Sequence, residues 1–140
     1  MLTDELRGVD VHTVALPSSG DDPAALGDLF ADADAIAAVV AAIDGPVVVL
    51  AHTAGGVATT QALAKALNVR RGVYLAAFLP DVGGSLLDDF GGVHHPNWKV
   101  DQGQTAIEIL EAVELFYPDV DPGLAQWAVS RLWRYYSYHR

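Results

Sequence analysis

The chain has 140 residues, 51% of them apolar and 19% charged, with no cysteine and a formal net charge of −10. That length and composition fit one domain with a packed core. The lack of cysteine excludes a disulfide scaffold, a cysteine nucleophile and a thiolate metal site. The negative charge argues against nucleic acid and against an anionic membrane surface as partners, because Lys and Arg hold both. Apolar runs are broken by Asp44, Gly45, Pro46 and His52 before reaching the ~18 residues of a membrane span. The first ten residues carry Asp4, Glu5, Arg7 and Asp10 and are no secretory signal. A soluble cytoplasmic domain is expected.

In chain order, Val9-Asp10-Val11-His12-Thr13-Val14-Ala15-Leu16 alternates apolar and polar and stops at Pro17-Ser18-Ser19-Gly20. This predicts a strand and a turn. Asp21, Asp22 and Pro23 prolong the loop. Leu29, Ala33, Ile36, Ala37, Val40 and Ile43 then recur at helical spacing, with Asp28 at the N-cap position and Asp44-Gly45-Pro46 as the stop. Val47-Val48-Val49-Leu50-Ala51 has no polar interruption, the pattern of a parallel strand buried on both faces. A second helix is expected over 57–67, with Ala58, Ala62 and Ala66 four residues apart. Arg70 and Arg71 lead into a strand over 72–78, closed by Pro80-Asp81-Val82-Gly83-Gly84. The order is βαβαβ, which predicts an α/β domain with three parallel strands. The 22 alanines suit helices lying close against a sheet.

Beyond residue 84 the character changes. Residues 85–104 read as irregular, with Gly91-Gly92 and His94-His95-Pro96. Residues 105–116 read as an acidic amphipathic helix on Ile107, Leu110, Val113 and Leu115, with Glu108, Glu111 and Glu114 as its solvated face. Tyr117-Pro118-Asp119-Val120-Asp121-Pro122 breaks it, and a further helix is expected over 123–132. The last eight residues are aromatic and basic, a composition that suggests a loosely packed end. The organisation is a core over 1–84, a cap or lid over 85–132 and an atypical tail over 133–140.

The strand over 47–51 runs through Ala51-His52-Thr53-Ala54-Gly55-Gly56 straight into a helix. A strand, a sharp turn between small residues and a helix form the setting of a nucleophile elbow. The strained turn lifts an oxygen above the sheet, and the small flanks let helix and strand approach. The helix N-terminus and the next amide face a developing oxyanion. Ala51 and Gly55 would be the flanks, Thr53 holds the nucleophile position, and Ala54 supplies the oxyanion amide.

On these residues, with His12-Thr13-Val14-Ala15-Leu16-Pro17 and Val73-Tyr74-Leu75-Ala76-Ala77-Phe78-Leu79-Pro80-Asp81, the chain resembles the α/β-hydrolase superfamily. Within it the likeness is to the branch of plant hydroxynitrile lyases, salicylate methylesterase-like enzymes and their bacterial relatives. The segment from Leu115-Phe116-Tyr117 to Trp127-Ala128-Val129-Ser130-Arg131-Leu132 resembles the cap of the bacterial members. The likeness runs over about residues 4–132 in four ordered blocks. It implies a partial α/β-hydrolase fold: a parallel sheet with flanking helices and a helical cap segment. It also implies a carboxylic-ester hydrolase acting on a small ester-like molecule, with no cofactor.

The chain departs from that pattern at three points. Thr53 stands where the family has Ser, and a β-branched residue resists the left-handed backbone of an elbow. No glycine-rich oxyanion loop precedes residue 9. The family's late Asp and His have no counterpart beyond the cap, so the chain reads as truncated at both ends, with a truncated or frame-shifted tail from Trp133. The order nucleophile, acid, histidine is met by Thr53, Asp81 as candidate acid, and His94 or His95, His95 being the candidate base. The plainer reading has Asp81 capping its loop and both histidines solvated. His52 reads as a packing residue. His94 and His95 with Asp88 or Asp89 make a poor metal set, since adjacent histidines diverge; no metal is expected. Two function classes stand: an ester hydrolase, or a hydroxynitrile-lyase-type activity in the full-length parent, against a non-catalytic fragment or binding remnant. A missing neighbour strand would leave an apolar sheet edge free to pair with a second chain.

Overall fold

A computed structural model of the chain describes residues 5–103 and 105–137. After a two-residue strand β1 (Ser19–Gly20) and a 3-10 turn at Pro23–Ala25 comes helix α1 (Leu29–Ala41). Asp28 starts it as expected, its Oδ1 accepting the Ala31 amide at 2.8 Å. Strand β2 (Val47–Thr53), helix α2 (Gly55–Leu63) and strand β3 (Val69–Ala77) follow. β2 and β3 run parallel, with Val47 opposite Val69 and Leu50 opposite Val73.

The core lies between the two helices and one face of this pair. Ala33, Ile36 and Val40 of α1 meet Ala58 and Ala62 of α2, all buried, and Val47, Val49 and Val69 pack against them. Alanines at the contact let the helix axes approach. Two polar ties close the ends of α1. Asn68 Nδ2 donates to the Val40 and Ile43 carbonyls at 3.0 Å and to Gly45 at 3.2 Å, satisfying oxygens that a helix end leaves open. In the first turn, the buried Asp32 accepts the Ser18 amide at 2.7 Å and the Ser18 hydroxyl at 2.6 Å. Burial pushes its carboxyl above the ordinary value, against the opposing pull of those two bonds.

Several expectations change here. Residues 9–16 form no strand. Val14 and Leu16 pack on the helical core, while Val9 and Val11 stay exposed. Alternation is present, but no strand among the described residues pairs with the segment, and a strand needs a neighbour's N–H and C=O groups. The parallel sheet therefore has two strands, not three. Nor is the 47–51 run buried on both faces: Val48 is 60% exposed and Leu50 42%. The helix expected over 57–67 spans Gly55–Leu63, and the strand expected over 72–78 begins at Val69.

The second half is an antiparallel sheet with short helices. The segment expected to be irregular contains α3 (Leu86–Asp89), started by a reciprocal Ser85–Asp88 capping box, and strand β4 (Trp98–Val100). The expected helix over 105–116 is instead strand β5 (Ala106–Ile109) and the five-residue α4 (Ala112–Phe116). Glu111 separates them with φ 52. Cross-strand partners override the helical spacing: Lys99 lies opposite Glu108 on β4, and Trp98 opposite Ile109. Glu108 is thus no solvated helix residue; its side chain is 20% exposed, between Lys99 and Arg134. Helix α5 (Pro122–Val129) is shorter than the expected 123–132, and Asp121 Oδ1 caps it by accepting the Gly123 and Leu124 amides at 3.0 Å. The tail is not loose over its described part. Strand β6 (Tyr135–Ser137) pairs antiparallel with β5 and β1, giving the order β1-β6-β5-β4. Tyr138, His139 and Arg140, like residues 1–4 and Gln104, lie outside the described residues.

Candidate active site at the Thr53 turn

Strand β2 ends at Thr53 and helix α2 begins two residues later. Thr53 is exposed and has φ 49, a left-handed backbone that a β-branched residue adopts only when its surroundings impose it. The surroundings can be named. The Phe78 amide donates to the Thr53 carbonyl at 3.1 Å, anchoring the turn to the exit of β3. On β3 the register jumps: His52 lies opposite Leu75, but Thr53 lies opposite Ala77. The extra residue, Ala76, has φ 43. Two left-handed residues thus sit side by side at the carboxyl ends of two parallel strands, and the bulge re-aims the backbone where the turn leaves the sheet.

The close approach of helix and strand falls on Gly56 rather than Gly55. A Cβ on Gly56 would collide with the Phe78 carbonyl oxygen and stand 2.9 Å from the Ala77 Cβ, whereas one on Gly55 meets nothing within 4 Å. Of the two expected small flanks, Ala51 is buried, and Gly55 is replaced in that role by its neighbour. Ala54 is already helical at φ −59, ψ −25, so its amide and those of Gly55 and Gly56 precede the helix's own hydrogen bonds, whereas the Val57 amide donates to the Ala54 carbonyl at 3.1 Å.

The other candidate residues lie on the loops after β3. Asp81 is exposed, and its carbonyl accepts the Gly84 amide at 2.8 Å, a loop-closing contact. His94 is exposed, 6.4 Å from the Trp98 ring. His95 is half-buried, not solvated, with ring centroids 6.3 Å from Phe90 and 6.1 Å from Trp98. Its Nδ1 accepts the Asn97 amide at 3.2 Å, which leaves the proton of a neutral ring on Nε2. Among the described residues, no hydrogen bond or ion pair joins Thr53, Asp81, His94 and His95 to one another, and no three potential metal ligands cluster. The connection that does exist is aromatic. Phe78, whose amide holds Thr53, meets Phe90 at a tilt with ring centroids 5.7 Å apart, and Phe90 contacts His95 and Trp98 edge-on. Neither of two open clefts, about 310 and 590 Å³, is lined by Thr53.

A sequence model described as the Alpha/beta hydrolase family matches residues 2–138. The chain belongs to the alpha/beta hydrolase family. No curated protein matches it. For a hydrolase-family chain, the parallel pair β2–β3 with its flanking helices is the part of the fold that places Thr53, at the carboxyl end of the sheet. No helix of the described residues is long and apolar enough to cross a membrane. The features that sequence reasoning missed, the Ala76 bulge and the crowding at Gly56, both sit where α2 meets β3. Their only local signal was the run of small residues on each side of that contact.

Proposed function

We propose that this hydrolase-family chain carries the nucleophile turn of a carboxylic-ester hydrolase at Thr53, with its proton relay unassembled. It engages a small ester-like molecule there and turns it over slowly or not at all. The observation that carries the reading is the left-handed, exposed Thr53 between a parallel strand and a helix N-terminus. In the implied reaction, Thr53 Oγ bonds to the ester carbonyl carbon and the carbonyl oxygen takes the negative charge. The Ala54 amide and the first turn of α2 stabilise that charge. The Oγ proton must leave to a base, the alkoxide departs, and water then cleaves the acyl-threonine. A threonine hydroxyl at its free pKa is a weak nucleophile without that base.

His95 does not offer one in this arrangement. With Nδ1 accepting from Asn97, the neutral ring presents Nε2–H, a donor where an acceptor is needed. This favours a second reading of the same site, a binding remnant without chemistry. Loss of the base in a serine hydrolase costs on the order of 10⁶ in kcat. Hydrolysis of an activated aryl ester by the purified chain should therefore stay near the uncatalysed rate and be unchanged in His95→Ala. Slow single acylation at Thr53, seen by intact mass and abolished in Thr53→Ala, separates the nucleophile turn from the mere remnant. Steady turnover that both Thr53→Ala and His95→Ala remove would show a working relay of Thr53, Asp81 and His95, and would overturn the reading.

A further inference from the structure

The smaller of the two open clefts, about 310 Å³, lies beside the β1–β6 pairing. Ile109 of β5, Val129 of α5, Leu132 and Trp133 give it an apolar lining. Leu132 is 37% exposed and Trp133 52%, so both present open surface. Three charged residues also line it: Asp21, Glu108 and Arg134. Glu108 is already answered, its Oε2 accepting from Lys99 Nζ at 2.8 Å. Arg134 Nε stands 3.7 Å from Glu108 Oε1, beyond hydrogen-bond length, so the guanidinium keeps donors to spare. Asp21 forms no hydrogen bond or ion pair among the described residues. Ser19 lies opposite Tyr136 and Gly20 opposite Tyr135, so the same antiparallel register carried one step further sets Asp21 beside Arg134. The two opposite charges are neighbours, yet no ion pair joins them among the described residues.

We propose that this cleft binds a free α-amino acid with an apolar side chain, its carboxylate on Arg134, its ammonium on Asp21 and its side chain on Val129, Leu132 and Trp133. Charge selects a zwitterion. A simple ammonium answers Asp21 but meets the Arg134 charge. A simple carboxylate answers Arg134 but meets Asp21, in a chain that already carries −10. An amino acid satisfies both and adds no net charge, and the planar fork of an arginine suits a carboxylate. Volume selects a small ligand, because this cleft is at the lower edge of small-molecule sites. The lining selects the side chain: such sites are mostly apolar, with a few polar groups that fix orientation. The mouth is open to solvent, so each ion pair adds little and the expected Kd is on the order of 1 mM. The cleft shares no lining residue with the Thr53 turn, so it stands or falls separately from the ester-hydrolase reading.

Titration of the whole chain with L-leucine, followed by amide chemical shifts, tests this. Two matched probes accompany it: 3-methylbutylamine, which is leucine without its carboxylate, and 4-methylpentanoate, which is leucine without its amine. L-leucine should give saturable shifts at Asp21, Val129 and residues 132–134. Each matched probe should bind about three- to fivefold more weakly, the scale of one exposed ion pair. Asp21→Asn should weaken leucine by a similar factor and leave 4-methylpentanoate no weaker. Arg134→Gln should weaken leucine likewise and leave 3-methylbutylamine no weaker. Asp21 is exposed, so its variant keeps the fold and decides the question even if Arg134→Gln disturbs β6. Asp119→Asn removes an exposed carboxylate that does not line the cleft, and should change nothing. Shifts that stay linear to about 10 mM leucine overturn the proposal. So does either matched probe binding as tightly as leucine, and so does leucine binding that survives Asp21→Asn unchanged.

Discussion

The two halves of the molecule are held by opposite means. The α1–β2–α2–β3 half rests on alanines, isoleucine and valines, and its buried carboxylate, Asp32, is pushed up by burial. The antiparallel half has a thinner core, with Leu86, Ala106, Ile107 and Ala125 as its buried apolar residues. Its carboxylates act as structural acceptors instead. Glu108 is held below its ordinary value chiefly by the hydrogen bond from Lys99, and Asp101 chiefly by the Ala106 amide, with Thr105 and Gly103 adding to it. The difference teaches where each half is vulnerable: the first to lost volume, the second to lost charge.

The largest expected effect follows from volume. Ile36→Ala removes three buried carbons from the contact between α1 and α2 and should cost about 2–4 kcal/mol, read as a lower urea midpoint for the whole chain. Ile107→Ala deletes a similarly buried side chain from β5, in the half with the smaller set of buried apolar residues. Its cost should be about 2 kcal/mol, the low end for truncating a buried isoleucine. It should also show locally, as faster amide exchange in 98–109 and 135–137 with α1 and α2 still protected. Equal loss of protection in both halves would mean that they unfold as one unit, and the contrast between them would fail.

A smaller effect separates two adjacent glycines at the Thr53 turn. Gly56→Ala forces a methyl against the Phe78 carbonyl and the Ala77 side chain, and should destabilise by about 1–3 kcal/mol. Gly55→Ala, with open space and a helical position, should stabilise by about 0.5 kcal/mol through the lower entropy of the unfolded chain. Thermal melts of the two variants side by side check the pair. If Gly55→Ala is the costly one, the helix approaches β3 through the other glycine and the turn geometry is different.

Much of the first half was legible because each element carries its own punctuation. Asp28 starts α1, Asp44-Gly45-Pro46 stops it, and the valine run has no reading but a strand. The segment over 9–16 was misread for a physical reason. Alternation says which way side chains would point in a strand, and says nothing of whether a neighbour is there to bond. The acidic stretch over 105–116 failed similarly: Ile107, Leu110 and Val113 do fit a helix, but the partners that make β5 a strand, Lys99 and Tyr136, come from outside the window. At the candidate site the turn itself could be read from Ala51 to Gly56. The Ala76 bulge and the ring stack around His95 could not, because both depend on how distant segments meet.

The subtlest way to sharpen the comparison is acid. Asp32 has a raised folded value, so its ionisation works against the fold. Its contribution is full below the ordinary aspartate range and is lost as pH rises through the folded value. Asp101 and Glu108 are lowered, so their contributions are full above the ordinary carboxylate range and are lost as pH falls through their folded values. Acidifying from about pH 6 to about pH 3 should therefore loosen β4, β5 and β6 while α1 and α2 keep or gain protection. Amide exchange resolved by segment, quenched from each pH, reads this directly. Glu108→Gln isolates the smallest part of the effect. The Lys99–Glu108 pair is 2.8 Å long but Lys99 is largely exposed, so its loss at neutral pH is slight and shrinks further in high salt. The variant should begin a little less protected in β4 and β5 and should converge with the unmodified chain in acid, where protonated Glu108 is neutral like the glutamine. If the two stay apart at low pH, the charge on Glu108 is not what holds the antiparallel sheet. The residual difference would then belong to the shape of the side chain beside its cross-strand neighbours Lys99 and Tyr135 rather than to the ion pair.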